Sequence, residues 1–141
     1  GTLTDGDTSA ANEAILAAMI AGRDSLLASD VAGAEAAAAE VVKNVAITYS
    51  QAVIRYATKI ADDVAAGDLD AAAKHAAEGL AFWRVIEAYL VPAGADGETI
   101  NAVFALDGAY GSDGGADEVR AALQPAWDAL GITDADIGTL S

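Results

Sequence analysis

The sequence predicts an all-α protein, a four-helix-bundle-like domain with one long central helix and short C-terminal helices. Hydrophobic residues make up 54% of the chain and aromatic residues only 6%, because much of the apolar content is alanine. Alanine is the strongest helix former, since it loses no side-chain entropy on folding. The larger apolar residues recur every three or four positions, which is a helical period and not a strand alternation. At 141 residues, we expect a single domain over residues 1–141.

The first helix is predicted over residues 10–28, after a polar lead-in over residues 1–8. Thr8 or Ser9 can cap it, and Glu13 in the first turn suits the positive end of the helix dipole. Its larger apolar residues follow at helical spacing: Ile15, Leu16, Met19, Ile20 and Leu26.

The longest helix is predicted over residues 32–66, with Asp30 as its N-cap and Gly67 as its stop. Glycine adopts the left-handed conformation that ends many helices at little cost. A helix of roughly 30 residues is about 45 Å long. Its apolar face carries Val42, Val45, Tyr49, Val53, Tyr56, Ile60 and Val64.

The third helix is predicted to begin after Asp68 or Asp70 and to end at Leu90, before Pro92. A proline restricts the residue before it and has no N–H to continue a helix. We expect the inner face of this helix to carry Ala72, Ala76, Leu80, Trp83, Glu87 and Leu90.

The C-terminal part is predicted to hold shorter elements. A helix over residues 98–106 is followed by a flexible connection, rich in Gly, Asp and Ser, over residues 107–115. A last helix over residues 117–130 contains Pro125, which should kink it or start a turn. One further turn is expected over residues 133–137.

The charge balance restricts the possible partners. The chain has 22 acidic and 7 basic residues, a net charge of −15, and it contains no cysteine. Such a surface repels nucleic acid and anionic membranes and attracts cations. No segment approaches the roughly 18 apolar residues that a membrane helix needs, so we expect no membrane insertion. The excess of acid fits both a halophilic protein, whose surface repulsion is screened by salt, and an ordinary acidic secreted protein.

His75 and Glu78 form the first candidate metal site. They are three residues apart, so both side chains project from the same side of one helix. Bundle proteins present iron and manganese ligands as such pairs, and imidazole with carboxylate suits iron, manganese or zinc. The competing interpretation is a solvated or partly buried histidine beside an ordinary surface acid.

Glu87 is the second candidate ligand, because the predicted inner face of the third helix points it toward apolar neighbours. A carboxylate there needs a cation or a hydrogen-bond donor, since unpaired burial is costly. Arg84 can be that donor, which makes it the supporting residue of the site. A structural ion pair of Glu87 with Arg84 or Lys59 is the alternative.

Tyr49 and Tyr56 lie seven residues apart on the long helix and should face the same interior. Phenolate oxygen is a ligand for ferric iron, although both rings also fit a plain core role. Glu13 on the first helix can complete the site. An enzyme is not expected, because no serine lies on a nucleophile elbow and one histidine cannot supply two Glu-x-x-His motifs.

Three runs of the chain resemble one known family: residues 48–57 (TYSQAVIRYA), residues 77–87 (AEGLAFWRVIE) and the closing phrases at 129–133 and 137–140. They are similar to the algal iron-assimilation family, the high-CO2-inducible or low-iron-inducible periplasmic proteins. The resemblance covers roughly residues 10–140. It implies a helical, non-catalytic, extracellular or periplasmic protein that binds iron.

The residues and the resemblance together predict a helical domain that captures iron through carboxylates with histidine or tyrosine. The expected partner is a metal cation, with other domains of a larger surface protein or a second copy as further partners. The alternative is a structural or interaction module of an acidic, halophilic surface protein that has no dedicated ligand.

Overall fold

A computed structural model describes residues 9–107, 110 and 115–138. This part of the chain forms six α-helices and no β-strand, which confirms the predicted all-α class with one long helix and short C-terminal helices. The helices are α1 (Ala10–Leu27), α2 (Val31–Ala66), α3 (Leu69–Leu90), α4 (Gly97–Val103), α5 (Gly115–Leu130) and α6 (Asp134–Ile137). None of the helices described is both long enough and apolar enough to cross a bilayer.

Some predicted segments fall outside the described residues. These are the lead-in at residues 1–8, most of the connection at residues 107–115 and the last residues of the tail, 139–141.

Aspartate side chains cap the amino-terminal ends of the two longest helices. Asp30 Oδ1 accepts a hydrogen bond of 3.0 Å from the backbone N–H of Gly33, and Asp68 Oδ1 accepts one of 3.0 Å from Ala71. These bonds satisfy N–H groups that have no partner within the helix. Ser9 occupies the N-cap position of α1, but its side chain makes no capping hydrogen bond.

Glycine and a capping box define the other boundaries. Gly67 and Gly131 have φ angles of 75° and 63°, so both adopt the left-handed conformation expected after a helix. Ser29 reaches the same region with φ of 58° in the short turn between α1 and α2. Thr133 and Asp136 form a reciprocal capping box that holds α6, the turn predicted over residues 133–137.

Two C-terminal helices have one boundary each that differs from the predicted one. α4 ends at Val103 rather than at residue 106, because the next residue, Phe104, leaves the helical conformation with its ring fully buried. α5 begins at Gly115 rather than at residue 117. Pro125 lies inside α5. The Ala122 carbonyl, one turn before this proline, accepts a 2.9 Å hydrogen bond from the N–H of Asp96.

The chain divides into two compact units, residues 1–48 and residues 49–141, and α2 runs from the first into the second. The prediction of a single domain stays a prediction. In the first unit, α1 packs on the start of α2 through small residues, and a Cβ added at Gly22 would lie 3.1 Å from Ala37 Cβ. Its buried apolar residues are Ala11, Ala18, Ala37, Ala46 and Ile47.

The second unit is a helical bundle that contains the large buried side chains. Trp83, Phe104 and Trp127 are fully buried there. The Trp127 Nε1–H donates a 3.1 Å hydrogen bond to Ser50 Oγ, which joins α5 to α2. Gln51 Nε2 donates to the backbone carbonyls of Asp136 and Ile137, so α6 is held against the same helix.

The inner face of α3 is rotated from the predicted one. Gly79 and Ile86 are buried, whereas Leu80 and Glu87 are only half-buried. The reason is the Phe104 ring, which lies so close to Gly79 that an added Cβ would be 2.2 Å from it. The other predicted inner positions are buried: Ala72, Ala76, Trp83 and Leu90.

Candidate functional site

The candidate site lies between α3 and the second half of α2. These segments form a helical hairpin around Gly67, so residues equally distant from Leu69 in the sequence face each other. Asp63 meets His75 in this way, and Tyr56 meets Phe82.

Asp63 and His75 form the closest polar contact of the hairpin. Asp63 Oδ2 lies 2.5 Å from His75 Nδ1, and the two side chains are 20% and 19% exposed. Partial burial strengthens such a contact, because solvent screens it less than it screens a surface pair.

Tyr56 contacts several side chains near the Asp63–His75 pair. Its ring stacks on Phe82 with centroids 5.4 Å apart and lies 5.8 Å from the His75 ring. Lys59 Nζ lies 5.1 Å from the centroid of the same ring. A hydrogen bond to the Glu78 carboxylate raises the pKa of the Tyr56 hydroxyl, and burial raises it further. Both effects favour the neutral phenol.

We call Asp63, His75, Tyr56 and Glu78 the hairpin cluster. It unites the His75–Glu78 pair with one of the two predicted tyrosines. Tyr49 also contacts the Phe82 ring, at a centroid distance of 5.8 Å, so both tyrosines face α3.

Glu87 belongs to a different network. Arg84 donates a hydrogen bond to it within one turn of α3, and Asn101 Nδ2 lies 3.4 Å from its other carboxylate oxygen. These donors, Arg84 first, lower the pKa of Glu87. Asn101 also accepts a 3.1 Å bond from Trp83 Nε1, so the network ties α4 to α3. Glu87 lies about 13 Å along the helix axis from Glu78 at 1.5 Å per residue.

Glu13, the remaining candidate, is an exposed residue of the first turn of α1, in the first unit. The hairpin cluster lies wholly within the second unit.

Conventional metal ligands do not come together in the described part of the structure. Over residues 9–107, 110 and 115–138, no group of three or more His, Cys, Asp or Glu side chains is placed to hold a metal ion. A cation at the hairpin cluster would therefore need an additional donor, such as the oxygen of Tyr56.

Sequence reasoning missed Asp63. Its contact with His75 spans twelve residues, so no helical spacing reveals it. The predicted turn at Gly67 could have revealed this contact, because a helical hairpin around that turn implies which residues of α2 and α3 face each other.

A comparison with models of known families, with curated proteins and with solved structures found no match to this chain.

Proposed function

We propose that this chain is a non-catalytic iron-binding domain of an extracellular or periplasmic protein. It captures ferric iron through the Tyr56 oxygen, the Glu78 carboxylate and the His75 imidazole. The observation that supports the proposal is that the Tyr56 hydroxyl is hydrogen-bonded to Glu78 and the Tyr56 ring lies 5.8 Å from the His75 ring, with all three side chains half-buried. The location outside the cytoplasm rests on the family resemblance.

The donor chemistry supports iron over other cations. Ferric iron binds phenolate and carboxylate oxygens, and an imidazole nitrogen suits transition metals better than calcium or magnesium. The net charge of −15 raises the cation concentration around the whole molecule. Tyr56 supplies the third donor that the acids and the histidine alone do not provide.

Capture is linked to proton release. Tyr56 must lose its hydroxyl proton to bind as phenolate. The neighbouring Glu78 carboxylate opposes this loss, because it raises the pKa of Tyr56. A bound cation reverses the effect, because it favours the ionised phenol and neutralises the carboxylate. We therefore expect iron affinity to fall as the pH is lowered.

The test is a titration of chelator-stripped protein with ferric iron delivered from a weak citrate complex. We expect saturation at one ion per chain and a visible absorption band from charge transfer between phenolate and iron. Tyr56→Phe should remove the band, whereas Tyr49→Phe should keep it. Tyr49 is the matched control because it contacts the same Phe82 ring.

Two results would contradict the proposal. One is iron binding no greater than that of an equally acidic helical protein. The other is a band that persists in Tyr56→Phe, which would mean that the iron binds elsewhere.

A second candidate function, an interaction module, is favoured by the first unit. Six of its large apolar side chains are exposed: Leu16, Met19, Ile20, Leu26, Leu27 and Val31. Residues 1–48 hold seven acidic and two basic residues, a net charge of −5, and residues 49–141 carry a net charge of −10. The partner that fits this candidate is a second copy of the chain, in which the same apolar side chains meet, and salt screens the repulsion between the two acidic copies.

Sedimentation velocity at increasing NaCl concentration tests this second candidate. We expect a dimer whose population grows with salt, and we expect Leu26→Glu to make the protein monomeric. Leu69→Glu is the control, since it adds the same charge at an exposed leucine of the second unit. A wild-type chain that remains monomeric at high salt would exclude this function.

A further inference from the structure

We infer that two copies of this chain associate through a groove and a ridge on the α1–α2 hairpin of the first unit, so that the ridge of each copy lies in the groove of the other. The inference rests on the second candidate function, the interaction module. It adds to that function the surface through which the copies meet and the arrangement that they adopt.

The groove lies between α1 and the start of α2 and has a volume of about 510 Å³. Small residues of both helices line it: Ala18, Gly22, Ala34 and Ala38. Among the described residues that line it, none is acidic, although the chain contains 22 acidic residues. The charged side chain that does line it, Arg23, is paired with Asp24 at 2.7 Å. The groove is therefore suited to an apolar occupant.

The ridge runs along α1 beside the groove. Leu16 and Ile20 are four residues apart and Leu27 follows seven residues later, so these side chains project from one side of the helix. Their exposed fractions are 59%, 44% and 80%. Leu16 lies three residues before Met19, and Leu27 lies four residues after Arg23. Because Met19 and Arg23 line the groove, the ridge and the groove are adjacent.

The sequence of α1 indicates that this helix is covered on more than one side. Residues 14–22 (AILAAMIAG) contain no polar side chain. A helix that is apolar all round is normally buried. In the first unit α2 covers one side, where Ala11 and Ala18 are buried, and the ridge stays exposed. A second layer of helices is needed to cover it.

A second copy fits this face because the face is complementary to itself. A two-fold axis places the large side chains of each ridge against the small residues of the other groove. Two hairpins joined in this way form a four-helix bundle.

The exposed apolar area is sufficient for such a contact. The six large apolar side chains of this unit expose on the order of 600 Å² per copy, which is at the upper end of what monomers expose. A stable interface buries roughly 800 Å² per partner, so this face supplies most of the area required.

Filling the groove tests the arrangement. Ala38 is exposed and leucine is a strong helix former, so Ala38→Leu should fold. Undirected apolar association predicts that the added apolar area strengthens the dimer. The groove and ridge predict the opposite, because the new side chain occupies the space that the partner's ridge enters. We expect sedimentation velocity in about 1 M NaCl to give a dissociation constant at least about tenfold higher than that of the wild type.

Ala36→Leu is the matched control, because Ala36 is an exposed alanine of the same helix that does not line the groove. It should leave the dissociation constant unchanged. Ile20→Ala, which lowers the ridge, should weaken the dimer, and far-ultraviolet circular dichroism should show equal helix content in all of these variants.

The outcomes separate this inference from the function on which it rests. A wild-type dimer that Ala38→Leu leaves equally tight or tighter would overturn the groove and ridge, while the interaction module stands. A wild-type chain that remains monomeric at high salt would overturn both.

Discussion

Each tryptophan of the second unit is fully buried and satisfies its N–H through a small polar side chain. Trp127 donates to Ser50, and Trp83 donates to Asn101. Among the described residues, no buried side-chain nitrogen or oxygen lacks a hydrogen-bond partner. Removing one acceptor would therefore leave a donor without a partner inside the core, which costs more than the bond itself contributes.

Ser50→Ala tests this cost. We expect the free energy of unfolding in urea to fall by about 1–3 kcal/mol, because the Trp127 N–H loses its acceptor in a fully buried position. Thr58→Ala is the control on the same helix. Its hydroxyl bonds to the carbonyl of Ile54 one turn earlier, and alanine there gains helix propensity, so the loss should be smaller. Equal losses in the two variants would contradict the argument.

The Tyr56–Glu78 pair has its own titration signature. Because the Glu78 carboxylate is the main cause of the raised pKa of Tyr56, Glu78→Gln should bring that pKa back toward its ordinary value. Ultraviolet absorbance of phenolate measures it, with Tyr56→Phe identifying the late-titrating tyrosine among the four in the chain. Glu98→Gln, an exposed acid on α4, should leave the curve unchanged.

The same shift has a definite effect on stability. A raised folded pKa means that the native state holds its proton more tightly than the unfolded chain does. The stabilising contribution is complete below about pH 10, the ordinary value for tyrosine, and is lost as the pH rises through the folded pKa. A tyrosine curve that is identical in wild type and Glu78→Gln would show that the pair does not interact.

The specific pairing of two candidate residues was predictable where their interaction is local. The pairing of Arg84 with Glu87 follows from their spacing of three on one helix. The meeting of Asp63 with His75 depends on how two helices pack around a turn. The buried face of α3 differs from the predicted face for a similar reason. The Phe104 ring packs against Gly79, and a sequence pattern does not specify which distant ring will fill the space beside a glycine.

Helix ends followed the sequence closely where a capping residue defines them. Asp30 and Gly67 bound α2 as expected, because an aspartate acceptor and a left-handed glycine act within a few residues of the chain. For α3 the sequence left Asp68 and Asp70 as equal candidates, and Asp68 makes the capping bond. α4 was harder to delimit, since its end is set by the burial of Phe104 and not by a local stop signal.

Asp68→Ala should destabilise the start of α3 by about 1 kcal/mol, because the N–H of Ala71 loses its acceptor. The measurement is the free energy of unfolding in urea, with Asp70→Ala as the control. Asp70 lies in the first turn, where its charge suits the helix dipole but no capping bond depends on it. A greater loss in Asp70→Ala would mean that charge and not capping decides the stability of this end.

At the scale of the whole molecule, the net charge of −15 sets the dependence of stability on salt. Repulsion among surface acids disfavours the compact state, and salt shortens its range from about 10 Å at 0.1 M to about 3 Å at 1 M. We therefore expect the thermal midpoint to rise between low salt and about 1 M NaCl or KCl. A non-ionic control such as glucose at the same osmolarity distinguishes screening from solute exclusion, and a midpoint that falls with chloride salts would contradict the prediction.

The continuity of α2 through both compact units has a consequence for how the helix opens. The buried apolar residues of its amino-terminal part are Ala37, Ala46 and Ile47, whereas its carboxyl-terminal part contains Val53, Ile54 and Ile60, each at most 3% exposed. Little apolar area therefore resists separation at one end, and much resists it at the other. We therefore expect α2 to open first near Val31 and to stay closed at Tyr56 and Asp63, so that the hairpin cluster remains assembled while the amino-terminal end of the helix frays.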